Sequence, residues 1–117
     1  MGLLDDKTVH RVIEESVPGK QITIAHVIAS PMPEILESIG IKDRGAIGIL
    51  TLSPCETAII AADIAAKSAK VEIGFLDRFT GAVVLGGDVQ SVETALVAVT
   101  ETLCDMMNFA TVPVTRT

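Results

Sequence analysis

The chain of 117 residues contains no tryptophan and no tyrosine, and its phenylalanines are three: Phe75, Phe79 and Phe109. Its core must therefore be built from Ile, Val, Leu and Ala, with little left over to stack on bases or sugars. It also lacks a cluster of Lys or Arg, since nine basic residues stand against fifteen acidic ones, for a formal net charge of -6. Binding to a phosphate backbone depends on basic side chains that release counterions, so nucleic acid is not an expected partner. Cysteine is scarce: Cys55 and Cys104 lie far apart, and neither has a second Cys or a His at metal-ligand spacing. That argues against a secreted disulfide scaffold and against a zinc motif. No apolar run approaches the ~20 residues of a membrane-spanning helix. The opening MGLLDDKTVHR has acids where a signal peptide needs a basic flank. A Met1-Gly2 start is no complete myristoylation signal, because position 6 is Asp6 rather than Ser or Thr. A membrane is not expected, and the expected location is the cytosol.

What is present is dense local order. A chain of this length is near the modal size of one domain and buries somewhat over ~60% of its unfolded surface. Residues 1–17 fit two patterns: Val9, Val12 and Ile13 a helical stripe behind Asp5 or Asp6, and Ile13, Glu15 and Val17 one face of a strand. Pro18-Gly19 punctuates, and Gln21 to Ala29 (QITIAHVIA) reads as a strand. Ser30 as cap, Pro31 and Glu34 open a short helix with a stripe of Ile35, Leu36 and Ile39, closed by Gly40. Ala46 to Leu52 is a continuous apolar strand. Ser53-Pro54-Cys55-Glu56 has the form of a capping box ahead of an alanine-rich helix that runs to about Lys70. Val71 to Leu76 and Ala82 to Leu85 are two further strands joined by Asp77-Arg78-Phe79-Thr80-Gly81. Asp88 or Ser91 then caps a helix with a stripe at Val92, Leu96, Val99, Leu103 and Met107. From Ala110 the chain is polar and contains proline, which predicts a loose tail. The order β-α-β-α-β-β-α is that of an α+β sandwich with a mostly antiparallel sheet, ferredoxin-like in plan.

Several of these segments together resemble one family. Ala61-Ala62-Asp63-Ile64-Ala65-Ala66-Lys67-Ser68-Ala69 followed by Val71, then Gly87-Asp88-Val89 opening a helix that contains Val92, are similar to the shell-protein domain of bacterial microcompartments (BMC). This resemblance spans roughly residues 46–107. His26-Val27-Ile28-Ala29-Ser30-Pro31 resembles a strand that lies at the C-terminal end of standard members, and here it comes first. That placement is similar to the circularly permuted branch of hexameric shell proteins from ethanolamine-, propanediol- and choline-utilisation compartments. Val17 to Gln21, Gly45 to Ile49 and Gly74 to Phe79 extend the likeness.

The resemblance implies a structural protein and not an enzyme: a homohexamer that tiles a shell facet around enzymes, without cofactor or metal. It divides the chain into an N-terminal extension (1–18), a permuted BMC domain (19–109) and a flexible tail (110–117). It also implies that Lys67 lies at the hexamer edge and that Asp77, Arg78, Phe79, Thr80 and Gly81 approach the sixfold pore. Val9, Arg11, Ile13, Glu15 and Val17 would form a barrel strand capping that pore. The implied partners are further copies, other shell proteins and enclosed enzymes. Two departures stand out: the 77–81 loop is short and lacks a Gly-Ser-Gly, and Ser30 takes the place of an edge arginine.

Each residue also has a plainer reading. Asp63 and Lys67, four apart on a helix, form a solvated pair in most proteins, and 77–81 can be an ordinary hairpin connection. His10 and His26 have no ligand partner; Cys55, read in the first turn of a helix whose dipole can lower a thiol pKa, is a reactive thiol or, more commonly, a packed one, Cys104 is packed, and Met106-Met107 fill a core or an interface. Glu14 and Glu15 are a solvated acidic edge, since strand neighbours point to opposite faces. Two other function classes fit the fold, a small-molecule-sensing regulatory oligomer and an enzyme. The second has neither a nucleophile-base set nor a phosphate loop to support it.

Overall fold

In the computed structural model, residues 19–42 and 45–117 are described. The elements are β1 (Gln21–Ile28), α1 (Pro33–Ser38), β2 (Ala46–Ser53), α2 (Thr57–Ser68), β3 (Glu72–Asp77), β4 (Ala82–Gly87), α3 (Val89–Met107) and β5 (Thr115–Arg116). The strands form one sheet in the order β3-β4-β2-β1-β5. Pairing is antiparallel throughout except for β1 with β5, so the mostly antiparallel α+β fold read from the sequence is the fold observed.

Both long helices cover one face of the sheet, because their apolar stripes have nowhere else to go. Val92, Leu96, Val99 and Leu103 of α3 are fully buried, and so are Ala58, Ala61 and Ala65 of α2. Each large aliphatic side chain removed from water contributes about 1.5–3 kcal/mol. The alanines act differently, letting the α2 axis come close to the sheet and to α3. Gly48 of β2 serves the same end, since a Cβ there would stand 2.8 Å from Val92 Cγ1. A smaller cluster of Leu36, Ile41 and Ile47 covers one end of the opposite face, packed with Ile28, Ile49 and Val84.

Helix starts follow proline more closely than they follow the serines. Ser30 does not cap α1: its N-cap is Met32, extended at ψ 140°, with Pro33 in the first turn. A residue before proline is driven out of the helical region, so Met32 delays the helix past Pro31. The short helix buries only Leu36, and Ile35 is left 47% exposed. Ser53 likewise ends β2, opposite Gln21, rather than opening a capping box. Cys55 and Glu56 form a turn, closed by Thr57 N–H donating to Pro54 O at 2.9 Å, before α2 begins behind Glu56. Cys55 therefore stands ahead of α2 and not in its first turn. Asp88 does cap α3, accepting from Ser91 N–H at 2.8 Å and from Ser91 Oγ–H at 2.9 Å, so the two alternative caps are partners.

The expected loose tail is a further correction. Residues 110–117 lie along β1, with Val112 and Val114 packed against the main core.

Candidate functional site

Two features singled out in the sequence take definite shape, and they lie at opposite ends of β3. The first is the outward side of α2. Lys67 Nζ is 2.8 Å from Asp63 Oδ2, and both side chains are more than half exposed. A pair so solvated contributes only tenths of a kcal/mol to the fold. Lys67 also stands in the last turn, where a cation suits the negative end of the helix dipole. Ile59 and Ile60 are exposed at 49% and 40%, and Ile59, Asp63 and Lys67 recur every fourth residue along one side of the helix. Sequence reasoning placed no role on these isoleucines. Their signal was present as large apolar residues off the alanine stripe.

The second feature is the connection from β3 to β4, about 17 Å away along β3 at the usual rise per residue. Asp77 organises it. Its Oδ1 accepts from Phe79 N–H at 2.8 Å and its Oδ2 from the Thr80 hydroxyl at 2.9 Å. These bonds, the Phe79 amide first and the Thr80 hydroxyl second, hold the carboxyl below its ordinary pKa of 3.8. Gly81 N–H donates to Asp77 O at 2.8 Å, and Gly81 takes φ +82°. With its base fixed, the turn presents Arg78 and Phe79 outward. The guanidinium carbon lies 4.8 Å from the Phe79 ring centroid, and Phe79 is 76% exposed. The loop thus offers a cation and an aromatic ring on a rigid support.

Val9, Arg11, Ile13, Glu15 and Val17 lie outside the described residues. His26 is held by two hydroxyls, Nδ1 to Thr115 Oγ1 at 2.6 Å and Nε2 to Thr117 Oγ1 at 2.8 Å. Cys104 is exposed and Cys55 partly buried. Met107 packs at the core margin, whereas Met106 is 78% exposed and fills no core. A cleft of about 610 Å³ beside α1 is lined by Pro31, Pro33, Leu36, Glu37, Gly40, Ile41 and Lys42, a set with one acid and one amine and no nucleophile. Among the described residues no group of three or more His, Cys, Asp or Glu could hold a metal ion, and no described helix is long and apolar enough to cross a membrane.

Residues 46–115 match the BMC domain. The chain is 60% identical over 111 residues to the bacterial microcompartment shell protein PduU of Salmonella typhimurium, covering 94% of this chain and 96% of that one. To the shell protein CutR of Streptococcus intermedius it is 55% identical over 108 residues, 92% of this chain and 93% of the other. A solved CutR flat hexamer superposes with a TM-score of 0.82 at 54% identity, over 87% of this chain and 94% of that chain.

Proposed function

This chain belongs to the BMC-domain family of bacterial microcompartment shell proteins, and from that premise we propose that it works as a homohexameric tile whose geometry, not chemistry, is its activity. The supporting observation is the near full-length likeness to the CutR flat hexamer at a TM-score of 0.82. Six copies related by rotation meet through two different surfaces and close, whereas tiles meet one another through a self-complementary edge about a twofold.

In this reading the outward side of α2, with Lys67 at its end, is the tile edge. A lysine stem lies across a neighbouring surface while its ammonium finds carbonyl oxygens. The 77–81 loop faces the sixfold axis, where six copies of Arg78 make a ring of positive charge. Residues 19–109 form the body of the tile, and the N-terminal extension 1–18, with Val9, Arg11, Ile13, Glu15 and Val17, is assigned to the pore. The shell then restricts diffusion around enzymes of ethanolamine, choline or propanediol breakdown, with other shell proteins and those enzymes as partners.

Native mass spectrometry and electron microscopy of the purified protein test the reading. Six-membered rings that grow into sheets or tubes support it. A small oligomer that binds a metabolite saturably and never forms sheets would support the regulatory alternative instead.

A further inference from the structure

The segment after α3 keeps one register against β1 at both of its ends. Ala110 bridges to Gln21, Thr115 pairs with His26 and Arg116 with Val27, all parallel and all at the same sequence offset. At the near end Ile22 N–H donates to Ala110 O at 2.8 Å, and Ala110 N–H donates to Lys20 O at 2.9 Å. At the far end Thr117 N–H donates to Val27 O at 2.8 Å, and Ala29 N–H donates to Thr117 O at 3.2 Å. In the middle Pro113 has no N–H to offer, and an open cleft of about 330 Å³ runs there, lined by Ile24, His26, Val112 and Pro113 among others.

Side chains reinforce the far end. The two hydroxyls on His26 each donate or accept as needed, so they satisfy the ring in either tautomer. Arg116 Nη1 reaches Glu93 Oε2 of α3 at 3.6 Å.

What this segment covers is chemically unusual for the side of a sheet. β1 reads QITIAHVI, rich in β-branched residues, without Asp, Glu, Lys, Arg or Pro. A strand of that kind left at an edge is a template for pairing with another chain, and natural edges are blunted by charge or proline. The covering segment carries both, as Arg116 and Pro113. We propose that residues 110–117 are a clasp over β1, and that the edge beneath is a latent self-association surface. Its fitting partner is β1 of a second copy, paired antiparallel about a twofold, as identical strands pair when the contact is isologous. The inference does not depend on the hexameric reading.

A chain stopped after Val112 keeps the Ala110 bridge and loses the far end of the clasp. By light scattering it is expected to form species larger than the full chain does at equal concentration, rising with concentration, with β1 amides protected from exchange within them. Adding Thr23→Lys, a charge at an exposed position of β1, is expected to restore the assembly of the full chain. If the stopped chain assembles as the full chain does, the proposal is overturned. It is equally overturned if the larger species form but Thr23→Lys leaves them unchanged, because their origin is then lost folding and not β1 pairing. A milder variant, Thr115→Val with Thr117→Val, removes only the hydroxyls. Hydrogen exchange at the Ala29 amide is expected to rise about tenfold while Ile22 is unchanged, and equal exchange at both ends would overturn the role of His26 as a latch.

Discussion

The Leu52 amide donates to the Gly81 carbonyl at 2.8 Å, while the Leu52 carbonyl oxygen occupies the space that a Cβ on Gly81 would need. This mutual seating ties the end of the β3–β4 loop to the end of β2, and it does so with Gly81 at φ +82°. Gly81→Ala adds both left-handed strain and overlap with backbone, which cannot rotate away as a side chain would. The expected loss is on the order of 2–4 kcal/mol, read by urea unfolding at fixed protein concentration. Unchanged stability would mean that the end of β2 yields without cost.

Acid should act on two carboxylates in the same direction. Asp77 is held below its ordinary pKa of 3.8 by the Phe79 amide and then the Thr80 hydroxyl, and Asp88 by the Ser91 amide and then the Ser91 hydroxyl. A carboxyl with a depressed folded pKa contributes stability that is fully present above its unfolded value. That stability is lost as pH falls through 3.8 toward the folded pKa. Stability should therefore drop below about pH 4, and Asp77→Asn should flatten part of that drop. Urea midpoints measured across this range check it, and a slope identical to that of the unsubstituted chain would remove Asp77 from the account.

How far these features were legible in the sequence depends on whether their causes are local. Asp88 and Ser91 are three apart, and the apolar period of Val92, Leu96, Val99 and Leu103 is a helix's own, so α3 could be read from the sequence. The Ser53 capping box failed because Gln21, on another strand, claims Ser53 for the sheet. Thr111 to Thr117, reading TVPVTRT, alternates as a strand does, yet Pro113 speaks against a strand and its partner β1 lies near the other end of the chain. Asp63 and Lys67 were legible as a pair, but the exposure of Ile59 and Ile60 beside them depends on where α2 docks. No local pattern carries that.

Arg78 gives a test of the pore reading that does not disturb the tile. The side chain is exposed, and its contact with Phe79 is an exposed cation–π pair worth about 0.5–1 kcal/mol, so Arg78→Ala should fold and assemble normally. If six copies ring the axis, the substitution removes six positive charges from one constriction, and Arg78→Glu reverses them. Flux of an anionic metabolite through assembled shells should fall in the order unsubstituted, Arg78→Ala, Arg78→Glu, at unchanged ring mass. Equal flux in all three would place the loop away from the axis.

Lys67 tests the edge reading by separating two levels of assembly. Its ion pair with Asp63 is too exposed to hold the fold, and neither residue belongs to the buried stripe of α2. Lys67→Asp should therefore leave folding and ring formation intact. It sets a like charge four residues from Asp63 and removes the long stem that would lie across a neighbouring tile. Native mass should still report six copies, while extended sheets disappear from micrographs. Lys67→Arg keeps the charge and the stem, and it should retain sheets. Sheets unaltered in Lys67→Asp would show that tiles meet through another surface, and loss of the six-copy mass would move Lys67 from the edge into the ring contact.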